Sequence, residues 1–392
     1  MQRSPLTLAM LAAFTFSPLQ AADSLSDAIG SGKAAVDFRY RLEMVDQDGL
    51  DEQAWANTLR SRFNYQSAPY RHLTATLELD NVSSLGAERY NSTVNGNTDR
   101  PVVADPTGTE LNQAYLSYKQ DNLSLHLGRQ RINLDDQRFV GGVGWRQNEQ
   151  TYDGYRISYQ ASDRVGLDYS YLFNVNRIFG EDSAGSDLHG NIHLLNASGQ
   201  IADGHKLTAF GYWMDFDNAA TLSNQTQGLR YQGQVGVVSI TASLAWQQEY
   251  GDNPRDYQAS YSLVEIGGKH SSVRWKLGQE VLGADENGSF ITPLATLHKF
   301  QGFADKFLST PAQGIQDRYL GLGTDLAGVK VDLTYHSFDS DRQNLDYGSE
   351  WDLSAGYALT SKLGLLVKGA WYEAEELATD TSKIWLMLSL KI

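Results

Sequence analysis

The chain has 392 residues, of which 20% are charged, and its formal net charge is −15 at pH 7. An acidic chain of this kind lacks the excess of lysine and arginine that phosphate backbones require, so nucleic acid is excluded as a partner. No cysteine is present, which excludes disulfides and thiolate metal sites.

The first 22 residues have the pattern of a cleavable secretory signal. Arg3 supplies a positive charge, Leu6 to Phe16 form an apolar core, and Gln20 to Ala22 provide small residues for cleavage. The apolar core is too short to form a membrane-spanning helix. We therefore predict a signal peptide at 1–22 and a single exported domain at 23–392.

Beyond the signal, apolar and polar residues alternate with a period of two, which is typical of β-strands. In the first such stretch, Val36, Phe38 and Tyr40 share one face, whereas Asp37 and Arg39 share the other. About 18 stretches of this kind follow one another, each near the roughly ten residues that a tilted membrane strand needs. The pattern predicts an all-β fold, a transmembrane antiparallel β-barrel of about 18 strands.

The connections between these stretches alternate in length. One set is short, such as Gln120–Asn122 and Ala161–Arg164, and the other is mostly long and polar, such as Val82–Thr109, Ile132–Tyr152 and Gly283–Gln316. Outer-membrane barrels have short periplasmic turns and long extracellular loops. An even number of strands also places both termini on the periplasmic side.

Alternation alone does not distinguish a membrane barrel from a secreted soluble β-protein, since one strand face is apolar in both. Three features favour the membrane. Tyrosine and tryptophan concentrate near strand ends, as in an interfacial girdle, the polar face carries many charges, and the mean hydropathy is low. We therefore predict a Gram-negative outer-membrane protein that contacts lipid and lipopolysaccharide.

Charged side chains on the polar face are predicted to line the lumen. Acids and bases are about equal there, but the first two strands carry a ladder of Arg39, Arg41, Arg60 and Arg62, and Arg156 lies elsewhere on the same face. Guanidinium groups bind carboxylates and phosphates bidentately, so the ladder favours an anionic solute. In the alternative interpretation, these arginines pair with lumen acids and only hold the wall together.

The stretch Gly128–Gly154 places charges and glycines between two amphipathic strands, and in a barrel we expect such a loop to enter the pore and narrow it. Strict alternation puts Arg129 and Arg131 on the lipid-facing side. Either they lie above the apolar band, or a β-bulge at Gly128 turns them inward. We prefer the bulge.

A second loop, Thr292–Asp317, has apolar residues at three- and four-residue spacing: Leu294, Leu297, Phe300, Phe303 and Phe307. This spacing predicts a short amphipathic helix inside the loop. The helix either packs on the barrel rim or folds over the mouth as a lid.

Signals for an enzyme are poor. No nucleophile elbow, phosphate loop or dinucleotide fingerprint is present, so we expect no catalytic residue, no metal and no cofactor. Two alternatives to a selective channel remain. One is a general, non-selective porin, and the other is an outer-membrane hydrolase, which needs a serine beside a histidine such as His126 or His336.

Two segments resemble the alginate export family of outer-membrane proteins. They are Gly128–Gly154, with its DDQRFVGGVGWRQNEQTYDG core, and TPLATLHKFQGFADKFLSTP followed by Gln316-Asp-Arg-Tyr319. A weaker similarity of strand pattern extends over almost the whole mature chain. The resemblance implies an 18-stranded barrel whose pore is lined by arginines and passes an anionic polysaccharide.

Position by position, the resemblance implies that the pore contributors are Arg129, Arg131, Arg138 and Arg146 together with Asp135, Asp136 and Glu149. We predict a passive, solute-selective porin for acidic saccharides or small organic anions. The sequence distinguishes neither import from export nor a monomer from a trimer.

Overall fold

The computed structural model describes residues 21–392, in which the chain forms one antiparallel sheet of 18 strands. Each strand pairs with its neighbours in sequence, and the first strand also pairs with the last. This pairing closes the sheet into a barrel, so the predicted fold class is confirmed. The predicted signal peptide at 1–22 lies almost entirely outside the described residues.

The strands in chain order are β1 (Lys33–Gln47), β2 (Ala54–Gln66), β3 (Leu73–Ser84), β4 (Gly108–Gln120), β5 (Leu123–Gln130), β6 (Thr151–Ser162), β7 (Val165–Asn176), β8 (Asp187–Ala202), β9 (His205–Phe216), β10 (Asn224–Val235), β11 (Val238–Glu249), β12 (Gln258–His270), β13 (Val273–Leu282), β14 (Ile315–Leu326), β15 (Val329–Asp339), β16 (Asp346–Ala358), β17 (Leu363–Glu373) and β18 (Thr381–Lys391). One short helix, α1 (Leu25–Gly30), precedes β1, and single 3₁₀ turns lie at Ala220–Leu222 and Leu297–Lys299. In residues 21–392, no helix has the length and apolar character needed to cross a membrane.

The outer surface of the barrel is apolar because every second residue of a strand points outward. On the adjacent strands β5 and β6, Leu127 and Tyr155 lie opposite each other and expose 49% and 50% of their surfaces. Trp246, Trp351 and Trp371 are exposed as well. A surface with so many exposed apolar and aromatic side chains is favourable in lipid and unfavourable in water.

The two ends of the barrel differ in their connections, as the sequence predicts. Short turns, such as 121–122 and 271–272, join the strands at one end, whereas the other end has connections as long as 85–107, 131–150 and 283–314. Helix α1 is tied to the short-turn end, where the amide of Ala68 donates to the carbonyl of Ala28 at 2.9 Å. By the rule for outer-membrane barrels, this end faces the periplasm.

The apolar core lies inside the barrel, between the inner wall and two of the long connections, named here the 131–150 loop and the 283–314 loop. Val140 and Leu294, one from each loop, are fully buried and form a parallel bridge. The ring of Phe139 packs against Phe210 of β9 and Tyr261 of β12, at centroid distances of 4.9 and 5.2 Å. Both loops therefore fold into the lumen and pack against the wall.

The predicted amphipathic helix in Thr292–Asp317 is wrong, because the structure has only the three-residue 3₁₀ turn there. Backbone φ angles of 51°, 79° and 61° at Gln301, Gly302 and Asp305 interrupt any longer helix. The apolar residues of this loop recur at helical spacing because the loop is buried on more than one side. It is enclosed by the barrel wall and by the 131–150 loop.

Candidate functional site: an arginine-lined constriction

The 131–150 loop and the 283–314 loop join inside the barrel and narrow it. The amide of Gly141 donates to the carbonyl of Leu294 at 2.8 Å, and the amide of Thr296 donates to the carbonyl of Gln137 at 3.0 Å. The indole of Trp145 stacks on the imidazole of His298 with 4.3 Å between ring centroids. The two loops therefore form one constriction.

Arg39 and Arg41 of β1 hold the edge of the 131–150 loop. Arg39 donates to the carbonyl of Gly144 and to the side-chain oxygen of Gln147, at 2.8 and 2.9 Å, and also to the carbonyl of Arg146. Arg41 donates to the carbonyl of Trp145. Three successive loop carbonyls thus accept from two wall arginines, which fixes this part of the loop against β1.

Arg60 and Arg62 of β2 face carboxylates instead. Arg60 lies 2.7 Å from Asp37, and Arg62 binds Asp80 through two nitrogens at 2.6 and 2.5 Å. Arg62 also donates to Glu149 of the 131–150 loop at 2.9 Å. The inward ladder of four arginines is therefore present in the structure, and each of its members already has partners within the protein.

Glu149 lies at the centre of this charge cluster. Burial alone would raise its pKa, but the guanidinium groups of Arg131, Arg62 and Arg60 hold the pKa of this carboxyl well below its usual range. Glu149 is therefore ionised at neutral pH, and it ties the loop to the arginines of β2.

Arg131 is the accessible member of the cluster. Its guanidinium contacts Glu149 and lies 2.8 Å from Glu78 of β3. The side chain of Arg131 is 21% exposed, whereas those of Glu78 and Glu149 are only 2% and 4% exposed. The cluster thus presents its cation to the lumen and keeps its carboxylates behind it.

Arg129 lies elsewhere, and the preferred β-bulge at Gly128 is wrong. The pairing of β5 with β4 and with β6 runs without a register shift, so Arg129 stays on the face of Leu127. There it pairs with Asp153 through two hydrogen bonds of 2.8 and 3.0 Å. Gly128 has a φ of 120°, and a Cβ at this position would collide with the carbonyl of Ala114, which accounts for the glycine.

Arg146 and Arg138 are buried inside the constriction. Arg146 bridges Glu43 of β1 and Asp305 of the 283–314 loop, at 2.9 and 3.1 Å. Arg138 reaches the opposite wall, where it donates to Glu280 of β13 at 2.8 Å. Since the side chain of Arg138 is only 1% exposed, it fastens the loop and is shielded from the lumen.

Asp135, Asp136 and Arg156 lie away from the arginine cluster. Asp135 accepts from Asn196 at 3.0 Å, and Asp136 lies 2.9 Å from Arg230. Burial raises the pKa of Asp135, although Lys206 and Arg230 oppose this shift. On the inner wall of β6, Arg156 pairs with Asp168 at 2.9 Å. Of the twelve predicted pore residues, these three belong to other parts of the wall and loops.

Asp105 is a central residue that the sequence did not single out. It is fully buried, and it accepts from Arg41 at 3.0 Å and from the amide of Gln147 at 2.7 Å. Burial opposes ionisation, but Arg41 and Arg146 lower the pKa of Asp105. It lies in the irregular 85–107 connection, where no periodicity indicates its direction, so a pattern-based search has no signal for it.

His298 and Lys368 form a second unpredicted pair. The Lys368 ammonium lies 2.7 Å from Nε2 of His298, and Nδ1 of His298 lies 2.7 Å from Asp305. Burial lowers the pKa of His298 to about 3, although Asp305 opposes the shift. The imidazole is therefore neutral at neutral pH, with Nδ1–H donating to Asp305 and Nε2 accepting from Lys368.

The side chains of the two histidines named for a hydrolase form no hydrogen bond with a serine within residues 21–392, although Ser117 lies opposite His126 in the pairing of β4 with β5. His336 Nδ1 lies 2.9 Å from Asp317, and its Nε2 lies 3.6 Å from Asp352. The ring of His126 packs against Tyr115 with 5.5 Å between centroids. Within residues 21–392, no group of three or more histidine, aspartate or glutamate residues is arranged to hold a metal ion.

Comparisons with known proteins agree with this architecture. A sequence profile described as alginate export matches residues 33–272. No curated protein sequence matches the chain. Among solved structures, OccD3 (OpdP) of Pseudomonas aeruginosa aligns with a TM-score of 0.72 at 13% identity, over 96% of this chain and 95% of that one.

Two further crystal structures show the same similarity. OccAB4 of Acinetobacter baumannii aligns with a TM-score of 0.71 at 13% identity, over 92% of this chain and 98% of that one. OpdO of Pseudomonas aeruginosa aligns with a TM-score of 0.69 at 14% identity, over 94% and 98% of the two chains. At these identities the similarity establishes the fold, which is that of outer-membrane channels.

Proposed function

The chain belongs to the alginate export family, and from that premise we propose that it passes anionic saccharides or small organic anions passively and selectively across the outer membrane. The family and the barrel support an outer-membrane channel. Selection for anions is our proposal for how the constriction works, because rings of charged side chains decide which ions enter a pore.

One observation carries the proposal: in the cluster that Arg60, Arg62 and Arg131 form with Glu78 and Glu149, the accessible charge is positive. Arg131 is 21% exposed, whereas its partners Glu78 and Glu149 are almost completely buried. A solute that reaches this cluster therefore meets a guanidinium before it meets a carboxylate. Guanidinium binds carboxylate and phosphate oxygens through two parallel hydrogen bonds, which favours uronates and other organic acids.

The test is the ion selectivity of the refolded protein in planar bilayers under a KCl gradient. We expect a reversal potential that shows preference for chloride over potassium, and we expect Arg131→Gln to reduce it. Arg129→Gln is the matched control, because it removes the same charge two residues away on the outer face. An unchanged reversal potential in Arg131→Gln would contradict the role of Arg131.

A polyuronate added to the same bilayers tests the solute class. We expect it to block the current of the wild type at concentrations where a neutral oligosaccharide has no effect. Equal block by both saccharides would contradict selection by charge, and absence of any channel would contradict the whole proposal.

A general, non-selective porin is the second candidate, and the pairing of charges favours it. Arg41, Arg60 and Arg146 each have a carboxylate within 3.0 Å. Paired charges cancel at a distance, which weakens any preference for one sign of ion. A reversal potential near zero in the wild type, with no block by polyuronates, would favour this candidate.

The proposal includes the route to the membrane. We propose that residues 1–22 are removed after export, that residues 23–392 form the mature channel, and that lipid and lipopolysaccharide surround its apolar outer face. Mass spectrometry of the protein from outer membranes checks the first point. A mature N-terminus near residue 22 is expected, and a retained N-terminus would contradict it.

A further inference from the structure

Four lysines lie on the inner wall close to the short-turn end of the barrel. Lys119 and Lys269 are the next-to-last residues of β4 and β12, Lys206 is the second residue of β9, and Lys276 is the fourth residue of β13. Lys119, Lys269 and Lys276 are exposed, and Lys206 is partly exposed. We call these four residues the lysine collar.

The direction of the collar side chains follows from the register. Lys276 alternates with Leu277, which exposes 51% of its surface on the outer face, so the lysine points into the lumen. Lys206 shares a face with the buried Thr208, and Lys269 lies opposite Arg274 on the same inner face. Lys119 lies three residues after Leu116, which exposes 50% of its surface on the outer face. Residues an odd number of positions apart on a strand point to opposite faces, so Lys119 points into the lumen.

Several acids of this region are already engaged by arginines, and Glu265 of β12 accepts from the hydroxyl of Tyr319 at 2.7 Å. Asp168 pairs with Arg156 at 2.9 Å, and Arg274 pairs with Asp325 and Asp332 at 2.7 and 3.1 Å. By contrast, within residues 21–392 the ion pairs of 4.0 Å or less include none of the four collar lysines. The collar therefore carries positive charge that no carboxylate contacts directly, although Asp135 is close enough to interact electrostatically with Lys206.

The opposite end of the barrel has the opposite sign. Acidic residues outnumber basic residues in the long connections, as in the runs Asp48–Glu52 and Glu375–Asp380. A lumen with low-dielectric walls focuses the field of such charges and raises the local concentration of oppositely charged solutes. An anion is thus attracted to the short-turn opening and repelled from the long-loop rim.

The collar is also extended. From β4 to β13 the wall spans nine strand spacings, which corresponds to roughly 40 Å of arc at about 4.8 Å per strand. A small monovalent anion contacts one lysine at a time, whereas a chain with several carboxylates contacts more than one. Each added contact then increases affinity because it is intramolecular.

We infer that the lysine collar is a docking site for polyvalent anions at the periplasmic opening, with a carboxylated oligosaccharide as its ligand class. This inference rests on the proposed function, since a docked polymer reaches the constriction next. The collar binds and concentrates the anion, and the constriction selects it.

The test measures block by an oligogalacturonate added to one side of a planar bilayer at a time. Because the chain has no cysteine, the variant Asp51→Cys gives each inserted channel a known orientation through its reaction with a membrane-impermeant thiol reagent. We expect the half-blocking concentration to be about tenfold lower from the short-turn side, within the range of electrostatic focusing. At 1 M salt we expect the difference to vanish, because the Debye length falls to about 3 Å.

The variant Lys119→Gln/Lys206→Gln/Lys269→Gln is expected to remove this sidedness. Its matched control, Arg71→Gln/Arg164→Gln/Lys362→Gln, removes three positive charges from turns at the same end and is expected to keep it. Equal block from both sides in the wild type would overturn the collar, as would equal loss of sidedness in both triple variants.

Failure of the collar is distinguishable from failure of the proposed function. A channel that prefers chloride but is blocked equally from both sides would support the selective constriction and contradict the collar. A channel without anion preference, whatever its sidedness, contradicts the proposed function instead.

Discussion

The 283–314 loop is attached to the barrel in two different ways on its two sides. Towards β12, the contacts are apolar: Phe290 packs on Tyr261 with 5.5 Å between centroids, and Leu294 is fully buried. Towards β16 and β18, charged contacts accompany the packing of Phe307 on Tyr347: Glu350 accepts from the amide of Ala304 at 2.7 Å, and Lys383 lies 2.9 Å from Asp305.

The difference matters because the two kinds of contact respond to different changes. Apolar packing is non-directional and depends little on pH or salt. Buried ionic contacts fix position, but they depend on protonation, and removal of one partner leaves an uncompensated charge. The charged side is therefore where solution conditions can detach the loop and widen the constriction.

The largest effect is expected from Asp305→Asn. Asp305 lies within 3.1 Å of Arg146, Lys383 and His298, so its loss leaves buried cations without their shared carboxylate. Removal of one partner of a buried pair costs about 3–5 kcal/mol. We expect larger conductance with frequent substates in bilayers. Glu286→Gln, in the same loop at an 87% exposed side chain, is the control and should conduct like the wild type.

A somewhat smaller effect is expected from Leu294→Ala on the apolar side. Truncation of a fully buried leucine costs about 3 kcal/mol through lost burial and the cavity left behind. We expect faster proteolysis of the 283–314 loop at neutral pH. Leu308→Ala, in the same loop but 43% exposed, should be cleaved at the wild-type rate. Equal cleavage of the two variants would contradict the apolar anchor.

Low pH should weaken only the charged attachment of the 283–314 loop to β16 and β18. Burial lowers the pKa of His298 to about 3 in the folded loop, against about 6.5 in an unfolded chain. The contribution of the neutral imidazole is therefore complete above about pH 6.5 and is lost as the pH falls towards 3, by about 1.4 kcal/mol per unit. Asp305, whose pKa is held well below its usual range by His298 and Lys383 against the effect of burial, stays ionised over this interval.

Loop proteolysis at pH 7 and pH 4.5 measures this dependence. We expect faster cleavage at the lower pH in the wild type and no such increase in His298→Gln, which has no imidazole to protonate. An equal increase in both proteins would show that other groups control the loop.

The smallest effect is expected outside the lumen. Arg129 and Asp153 form an ion pair on the outer face, with side-chain exposures of 27% and 16%. Such partly exposed pairs contribute about 0–1 kcal/mol. Arg129→Gln should therefore change the free energy of unfolding in urea by less than about 1 kcal/mol. A loss of stability as large as that expected for Asp305→Asn would contradict the distinction between buried and partly exposed ion pairs.

Strands were predictable from the sequence because their signal is local. A period of two in Val36–Leu42 or Leu73–Leu79 reports both the strand and its apolar face, and the lengths of the connections report the two ends of the barrel. The inward arginines of β1 and β2 followed from the same alternation. Their carboxylate and carbonyl partners did not follow, since these come from distant loops.

Loop structure was not predictable for the same reason. The apolar residues of Thr292–Asp317 imitate a helix because the loop is buried on several sides, and Asp105 has no periodic neighbours at all. Arg129 and Arg131 show the limit most clearly. They are two residues apart and in the same phase, yet only Arg131, one residue beyond the end of β5, turns towards Glu78.

Closure of the sheet by β1 and β18 has a consequence for assembly. Residues from nearly opposite ends of the chain, such as Val36 and Ile392, bond to each other, so the ring cannot close until the last strand has been delivered. Until then β1 presents an unpaired edge, which is a template for aggregation. Pairings between such distant residues also form slowly. The open sheet therefore needs protection from aggregation until β18 pairs with β1.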